Sequence, residues 1–306
     1  MTLDDAIVQA CNSVGIVPPR AKQAGKWHRT DTEGKNGKGD GSVIFDEDRV
    51  TAYNWQTGDN TTVWLKNEFT VEERRKIARR RADDGRKERE RAAKAAELAN
   101  SLLSVSRMGT HQYLAAKGFA GEKAPIIGAD KVRSIAGSYL VPTGGQEAII
   151  VPARGGSGIS SLQLIWESGE KKFLFGGSMS GAAHRIASGR ATWLCEGYAT
   201  ALSIRTALSG LSRRDGVVVC FSASNIVKVA RAVEGRCYIA ADHDAPPKAK
   251  PDQFGGMGAG EYFAMQSGKP YTMPPELGDD FNDMHQSEGI FAVQRVLAKL
   301  IREARP

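Results

Sequence analysis

The sequence predicts a mixed α/β fold in which a mostly parallel sheet flanked by helices follows an antiparallel α+β subdomain and a small β-rich N-terminal domain. The first observation is that strands and helices alternate after residue 190, which is typical of a parallel sheet covered on both faces. The second is that the turns GGQ, GGSG and ESGE join strand candidates between residues 139 and 175, and turns this short require antiparallel pairing. The third is a series of short β-prone runs separated by glycines between residues 24 and 66.

The N-terminal region begins with a short helix that Thr2 is expected to cap, followed by four β-prone runs at 27–29, 43–45, 50–55 and 61–65. Its large aromatic residues are best interpreted as the core of a small sheet, since so short a domain has few other bulky residues to bury. The alternative is that they stack on unpaired nucleic-acid bases. These residues are Trp27, Tyr53, Trp55 and Trp64, and the basic residues near them are His28, Arg29 and Lys66.

The rest of the chain supplies the elements of the other predicted parts. Residues 71–103 are highly charged, contain one glycine and no proline, and predict a long exposed helix. Strand candidates follow at 139–141, 148–151, 160–166 and 172–175, then at 191–195, 217–221, 237–241 and 270–272, with helices predicted at 198–208, 225–233, 259–266 and 288–303. We therefore divide the chain into an N-terminal domain (1–68), a charged helical linker (69–107), an α+β subdomain (108–188) and a parallel-sheet subdomain with a C-terminal helix (189–306).

Composition excludes several classes of protein. The 306 residues include 42 Lys and Arg against 35 Asp and Glu, a net charge of +7 that favours a polyanionic partner. The four cysteines form no CxxC pair, so neither zinc nor a disulfide framework is expected. No run of eighteen apolar residues exists and the N-terminus does not resemble a secretory signal, so we expect no membrane span and a cytoplasmic location.

Acidic residues directly follow two of the predicted parallel strands. Glu196 follows the strand at 191–195, and Asp242 and Asp244 follow the strand at 237–241. Carboxyl ends of parallel strands meet at one edge of a sheet, where such sheets bind ligands. Carboxylates gathered there repel one another unless a cation neutralises them, and oxygen ligands suit Mg²⁺ or Mn²⁺. A second acidic cluster, at 279–283, can complete this site through Asp280.

The pattern predicts a divalent-metal site suited to chemistry at phosphorus, because Mg²⁺ is typically bound through a few carboxylates together with substrate phosphates. The ordinary alternative is that these acidic residues cap helices or turns, as such residues often do. A glycine-rich loop at 255–260 lacks the lysine and serine of a Walker motif, so no ATPase motor is indicated.

These residues also carry a resemblance to a known family. Glu196-Gly197 and Asp242-His243-Asp244, each after a strand, resemble the Toprim domain of bacterial primases, topoisomerases and some nucleases. Residues 196–201 read EGYATA, which is similar to the hallmark of primases from satellite phages and conjugative plasmids. Further similar elements are YLAAKG at 113–118, SLQ at 161–163 with GEKKF at 169–173, FSASN at 221–225 and DFND at 280–283. His243 and the KAKPDQF insertion at 248–254 depart from the family pattern.

The resemblance implies that Glu196, Asp242 and Asp244 are catalytic and hold Mg²⁺ or Mn²⁺ with Asp280. It also implies that Glu196 assists removal of the proton from the attacking 3′-hydroxyl. Lys171 and Lys172 precede the parallel sheet and are candidates for contacts with nucleotide or nucleic-acid phosphates, as are Arg154 and Arg185. A solvated hairpin strand is the alternative for the two lysines.

The resulting hypothesis is a DNA-dependent RNA primase that synthesises short primers on single-stranded DNA from ribonucleoside triphosphates in phage or plasmid replication. A separate replicative helicase is the expected partner, because the chain has no helicase motif. Two alternatives stay open: a Toprim-type metal-dependent nuclease, and a non-catalytic replication accessory that binds single-stranded nucleic acid.

Overall fold

The computed structural model describes residues 1–20, 23–33, 37, 39–55, 57, 59–65, 70–156, 158–248 and 251–304. It confirms the mixed α/β class, with two antiparallel sheets and one mostly parallel sheet. The described chain divides into two compact units, the first Met1–Asp83 with Pro246–Met257 and the second Asp84–Ala245 with Gly258–Pro306. The four-part division made above remains a prediction, and its boundary at residues 68 and 69 lies outside the described residues.

The first unit is a four-stranded antiparallel sheet with one helix packed on it. Helix α1 (Leu3–Val14) begins at a capping box, in which the Thr2 hydroxyl accepts the Asp5 N–H and the Asp5 carboxylate accepts the Thr2 N–H, as the sequence predicts for Thr2. The strands, in spatial order, are β1 (His28–Thr30), β2 (Gly41–Phe45), β3 (Arg49–Asn54) and β4 (Asn60–Trp64).

The core of this unit lies between α1 and one face of the sheet, and it is built from aliphatic side chains and Phe45. The core-packing interpretation is therefore wrong for Trp27 and Trp55, whose side chains are 50% and 54% exposed. Val43, Phe45, Val50 and Ala52 already fill the space beneath α1.

Helix α2 (Val71–Ser104) confirms the long charged helix predicted from residue 71. Its C-terminal turns bury Ala95, Ala99 and Leu102 in a core of the second unit. None of the described helices combines the length and apolar character that a membrane crossing requires.

The second unit begins with a five-stranded antiparallel sheet. Its strands, in spatial order, are β5 (Arg107–Gly109), β6 (Ala124–Gly128), β7 (Glu147–Gly155), β8 (Gly158–Trp166) and β9 (Lys171–Phe173), with helices α3 (Gln112–Ala116) and α4 (Ala129–Ala136) in the connections. The predicted antiparallel pairing of 148–151, 160–166 and 172–175 is confirmed for β7, β8 and β9. The prediction of a strand at 139–141 is wrong, because Ser138–Leu140 forms a 3₁₀ helix whose Leu140 is fully buried in the core.

The rest of this unit forms a second sheet covered by helices. Its elements are, in chain order, β10 (His184–Ala187), β11 (Thr192–Cys195), α5 (Tyr198–Gly210), β12 (Gly216–Val219), α6 (Ala223–Ala232), β13 (Cys237–Ala240), α7 (Ala259–Gln266), β14 (Tyr271–Thr272), α8 (Phe281–Glu288) and α9 (Ile290–Glu303). The spatial order of the strands is β10-β12-β11-β13-β14, with β10 antiparallel and the remaining pairs parallel. Helices α5, α8 and α9 cover one face of the sheet, and α6 and α7 cover the other.

Candidate functional site

Glu196 and Asp242 lie at the carboxyl ends of two neighbouring parallel strands. Strand β11 ends at Cys195, β13 ends at Ala240, and the two strands pair directly with Leu194 opposite Ile239. The residues that follow them therefore leave the sheet at the same edge and at nearly the same level. This edge is where open parallel sheets bind ligands.

A glycine-rich turn packs tightly against the backbone of the acidic segment. A Cβ atom at Gly258 would overlap the carbonyl oxygen of Asp244, and one at Gly260 would overlap that of Asp242. The Gly260 N–H also donates to Asp244 Oδ2 at 2.9 Å. The glycines of this loop are therefore required for the close approach of α7 to the acidic segment, and they fix the position of the Asp244 carboxylate.

Asp280 is brought to the same edge by a short backbone pairing. His243 N–H donates to the carbonyl of Asp279 at 2.9 Å, and Gly278 N–H donates to the carbonyl of His243 at 2.6 Å. Asp280 is also the N-cap of α8, where Oδ1 accepts the N–H groups of Asn282 and Asp283 at 2.6 and 3.0 Å. Asp280 thus satisfies the capping alternative while its charge remains within reach of Asp242 and Glu196.

The electrostatics of this edge show that the carboxylates crowd one another. Burial, then the charge of Asp244, raises the pKa of Glu196 to about 7, and Lys171 opposes this shift. Burial also raises the pKa of Asp242 well above its usual range, and the charges of Glu196, Asp280 and Asp244 add to the effect. In the absence of a further cation, this crowding favours the protonated forms of Glu196 and Asp242, and a bound cation would favour their charged forms.

The donor set fits a divalent cation bound by oxygen. Asp242 Oδ1 is a buried oxygen that has no hydrogen-bond partner among the described residues. Across the described part of the chain, no group of three or more His, Cys, Asp or Glu side chains is placed closely enough to hold a metal ion by itself. An open arrangement suits Mg²⁺, which keeps several waters and uses few protein carboxylates. Glu196, Asp242, Asp244 and Asp280 are the residues that could hold it.

Lys171 is a cationic residue whose charge acts on these carboxylates. It lies on the edge strand β9, and its charge lowers the pKa values of both Glu196 and Asp242. It also lines a pocket of about 300 Å³ together with Asp280. The other lining residues are Tyr113, Lys117, Ser168, Gly169, Gly197, Ala199 and Thr200. A positive side chain beside an acidic cluster in a pocket suits a phosphate ligand that also binds a metal.

The other predicted basic residues lie elsewhere. Lys172 is next to Lys171 on β9, so its side chain points to the opposite face, and it pairs with Glu170 at 2.7 Å. Arg154 is exposed near the end of β7, beside His184. Arg185 Nη1 would lie 3.2 Å from a Cβ at Gly216, which starts β12, so this guanidinium is at the amino edge of the parallel sheet. Of the four predicted basic residues, Lys171 is the one whose charge acts on Glu196 and Asp242.

Lys117 is a pocket residue to which the sequence analysis assigned no role. Its ammonium lies 3.6 Å from Asp283 Oδ1, and its backbone carbonyl accepts the side-chain amide of Asn282 at 3.0 Å. The same Asn282 amide donates to Ser203 Oγ at 3.1 Å, and Asn282 is fully buried. Asn282 therefore joins the YLAAKG and DFND segments. The lysine of the YLAAKG segment was the feature of the sequence that could have identified Lys117 as a site residue.

Phe221 forms a strained backbone position beside Glu196. It adopts a positive φ of 69°, unusual for an aromatic residue, and its N–H donates to the Glu196 carbonyl at 3.0 Å. The next residue, Ser222, caps α6, and the Glu196 carboxylate accepts the N–H of Ala223 in the first turn of that helix. The FSASN segment thus holds both the backbone and the carboxylate of Glu196 in place.

The fold and this edge define a class of α/β protein that gathers carboxylates for a cation at the ends of parallel strands. Comparison with known protein families gives a match in the same region: residues 191–290 match the family described as Toprim domain. The chain therefore carries a Toprim domain, which contains Glu196, Asp242, Asp244 and Asp280. Toprim domains generally bind divalent metal.

One solved structure also resembles the chain. It is a structure of the bacteriophage T7 lagging-strand DNA polymerase interacting with primase domains of two gp4 subunits bound to an RNA/DNA hybrid and dTTP. Sequence identity is 15% and the TM-score is 0.36, over 52% of this chain and 79% of the matched chain.

Proposed function

We propose that this protein is a DNA-dependent RNA primase that makes short primers on single-stranded DNA by metal-dependent nucleotidyl transfer. The observation that carries the proposal is the acidic edge of the Toprim domain, with Lys171 facing Glu196 and Asp242. An edge that is short of positive charge and has a cationic side chain beside it suits a metal-bound triphosphate.

In this proposal the acidic residues share the work of binding and orienting. Asp242, Asp244 and Asp280, with Glu196, hold Mg²⁺ or Mn²⁺, which when bound neutralises the charge of the triphosphate. Glu196 accepts the proton of the attacking 3′-hydroxyl, because the N–H of Ala223 and the backbone of Phe221 fix its carboxylate at the edge of the pocket.

The basic residues divide between two kinds of phosphate. We assign Lys171 to the triphosphate because of its place in the pocket. Arg154, Lys172 and Arg185 stay candidates for the nucleic-acid backbone, farther from the reacting atoms. The substrates are ribonucleoside triphosphates and a single-stranded DNA template, the setting is phage or plasmid replication in the cytoplasm, and a separate helicase exposes the template.

The test is incubation of the full chain with single-stranded template, labelled ribonucleotides and Mg²⁺. Templated oligonucleotides support a primase. Shortened template supports a Toprim-type nuclease, and retention of the template without chemistry supports a replication accessory; either result contradicts the proposal. The Asp242→Ala variant should abolish synthesis and leave template binding largely intact.

Asp130→Ala is the matched control, because Asp130 is in the same unit and its side chain is almost completely exposed. It should synthesise primers at the rate of the unmodified chain. Undiminished synthesis by Asp242→Ala would contradict the site assignment.

A further inference from the structure

The N-terminal sheet has an outer face, opposite α1, that carries aromatic and arginine side chains. Cross-strand partners in an antiparallel sheet lie on the same face, and Arg29, Ser42 and Tyr53 form one such row across β1, β2 and β3. Arg49 and Trp64 form a second row across β3 and β4. The intervening residues, including Val43 and Ala52, point to the core under α1. We call these two rows, with Trp55, the outer face.

Trp55 is the centre of the first row. Its indole Nε1 donates to Ser42 Oγ at 2.8 Å, and the ring lies 4.2 Å from the ring of Tyr53 between centroids. Its backbone N–H donates to the Asp40 carbonyl at 2.8 Å. Both the main chain and the ring edge are therefore held, while 54% of the side chain remains exposed. A large aromatic ring that is fixed in orientation and open to solvent is prepared for stacking.

Arginines accompany both rows. The Arg29 guanidinium lies 5.4 Å from the Trp55 ring centroid, and its Nη1 donates to the Gly39 carbonyl at 2.8 Å. Trp64 has two such neighbours, Arg49 at 5.9 Å and Arg81 at 5.5 Å. The ligand that fits aromatic rings interleaved with arginines carries both flat rings and negative charge.

We propose that the outer face binds single-stranded nucleic acid, with a base stacked on Trp55 and the sugar-phosphate backbone near Arg29. The second row, about 13 Å away at four residues of strand rise, would meet the same strand through Trp64 and the exposed Arg81, since Arg49 is mostly buried and pairs with Asp46 at 3.8 Å. A protein partner would lack the regular alternation of rings and phosphates that matches this face. The identity of the strand as the template rests on the proposed function, whereas the binding itself does not.

The test uses the full chain in EDTA, so that the acidic edge contributes no metal-dependent binding. The ligand is a fluorescein-labelled oligo-dT of about 12 nucleotides, within the range that such sites occupy. Anisotropy reports affinity, and quenching of intrinsic tryptophan fluorescence reports stacking. Quenching reports on the tryptophans that solvent reaches, because Trp166 and Trp193 are fully buried, and the loss of amplitude in Trp55→Phe isolates the contribution of Trp55.

Trp55→Ala should bind the oligonucleotide about tenfold more weakly, since it removes one stacking partner. Trp55→Phe keeps an aromatic ring and loses the indole, so it should lose quenching amplitude and keep its affinity within about threefold. Arg29→Gln should weaken binding and reduce its salt dependence. Phe291→Ala is the matched control, because Phe291 is a 72% exposed aromatic residue of the second unit, and it should change nothing.

Three results would overturn the proposal. The first is unchanged affinity of Trp55→Ala. The second is an equal loss in Trp55→Phe and Trp55→Ala, because the effect would then come from the lost bond to Ser42 and not from stacking. The third is equal binding of an abasic strand of the same length, which would leave only phosphate attraction. Asp242→Ala separates this proposal from primer synthesis: it should lose synthesis and retain both affinity and quenching.

Discussion

The acidic edge of the Toprim domain and the outer face of the N-terminal sheet differ in how the chain assembles them. Glu196 and Asp242 are far apart in sequence and meet because two parallel strands end together, and Asp280 joins them through the backbone pairing of His243 with Asp279 and Gly278. On the outer face, Arg29, Ser42 and Tyr53 meet because residues of neighbouring strands lie in cross-strand rows. The edge is partly buried and crowded with like charge, whereas the face presents the half-exposed ring of Trp55 and combines rings with positive charge.

Different interactions therefore dominate the two regions. At the edge, the placement of charge dominates, so a variant with a neutral side chain of the same shape should lose most of its activity. On the face, stacking dominates, so a change of ring should be tolerated and loss of the ring should not.

Glu196→Gln should reduce primer synthesis by about 100- to 1,000-fold, the usual cost of removing one preorganised electrostatic group from an active site. The substitution keeps the shape of the side chain and removes its charge and its ability to accept a proton. The measurement is the single-turnover rate of primer synthesis at saturating nucleotide and Mg²⁺.

The control for this variant is Glu288→Gln, an exposed residue at the end of α8, which should synthesise primers normally. Binding of oligo-dT in EDTA should be the same for Glu196→Gln and the unmodified chain. If binding falls as much as synthesis, the edge and the face do not act separately and the comparison fails.

Lys171→Ala and Lys172→Ala form a matched pair on one strand. Lys171 faces the carboxylates, so its loss should raise the KM for nucleotide by about tenfold, as expected for a hydrogen bond to a charged group. Lys172 is paired with Glu170 on the other face of β9, and its loss should change that KM by less than about twofold. Steady-state kinetics with varied nucleotide make the measurement, and a larger effect at Lys172 would contradict the placement of the triphosphate.

The strand-end pattern predicted the acidic edge from sequence because two strands with carboxylates after them must end on the same side of a parallel sheet. The spatial order of the strands could not be predicted, since the adjacency of β11 and β13 depends on how the crossover helices connect them. The role of the glycine loop was also beyond sequence reasoning. Gly258 and Gly260 are required by contacts with Asp244 and Asp242, which depend on tertiary packing and not on local propensity.

Basic residues were the least predictable part of the site. Lys171 and Lys172 are neighbours in sequence, and only the register of β9 on β8 decides which one faces the carboxylates. Arg185 lies in a strand, β10, that the sequence did not reveal, and this strand runs antiparallel to β12. Its side chain consequently reaches the amino edge of the sheet, where no local pattern would have placed it.

Divalent metal should change the pH dependence of stability at the edge. Without metal, the folded chain holds Glu196 at a pKa of about 7, against an ordinary value of 4.5. The folded state then binds a proton that the unfolded state has lost, so this group makes the protein less stable as pH rises from about 4.5 to 7. Metal favours the deprotonated carboxylate, so it should raise the Tm more at pH 8 than at pH 5.

The measurement is Tm in EDTA and in Mg²⁺ at both pH values, for the unmodified chain and Glu196→Gln. Burial lowers the pKa of His184 to about 4, so this residue makes the protein more stable as pH rises from 4 to 6.5, opposite to Glu196. His184 is present in both proteins, so the difference in Tm between them isolates the effect of Glu196. In EDTA, the variant should be more stable than the unmodified chain at pH 8 and equal to it at pH 5. Equal stability at both pH values would show that the edge is not crowded with charge.

The smallest expected effect separates the two roles of Asp280. Its carboxylate caps α8 through the N–H groups of Asn282 and Asp283, and it also adds charge to the edge. Asp280→Ser keeps a capping oxygen and removes the charge, so stability should change by less than about 0.5 kcal/mol, while Asp280→Ala should cost about 1 kcal/mol. Urea unfolding of both variants gives these values.

Primer synthesis then distinguishes the roles, because both variants lack the charge. If Asp280 helps to hold the cation, the two should show the same rise in the Mg²⁺ concentration needed for half-maximal synthesis, despite their different stabilities. If Asp280→Ser retains the normal Mg²⁺ requirement, Asp280 acts only as a cap. The cation would then depend on Glu196, Asp242 and Asp244, the three residues that directly follow buried strands.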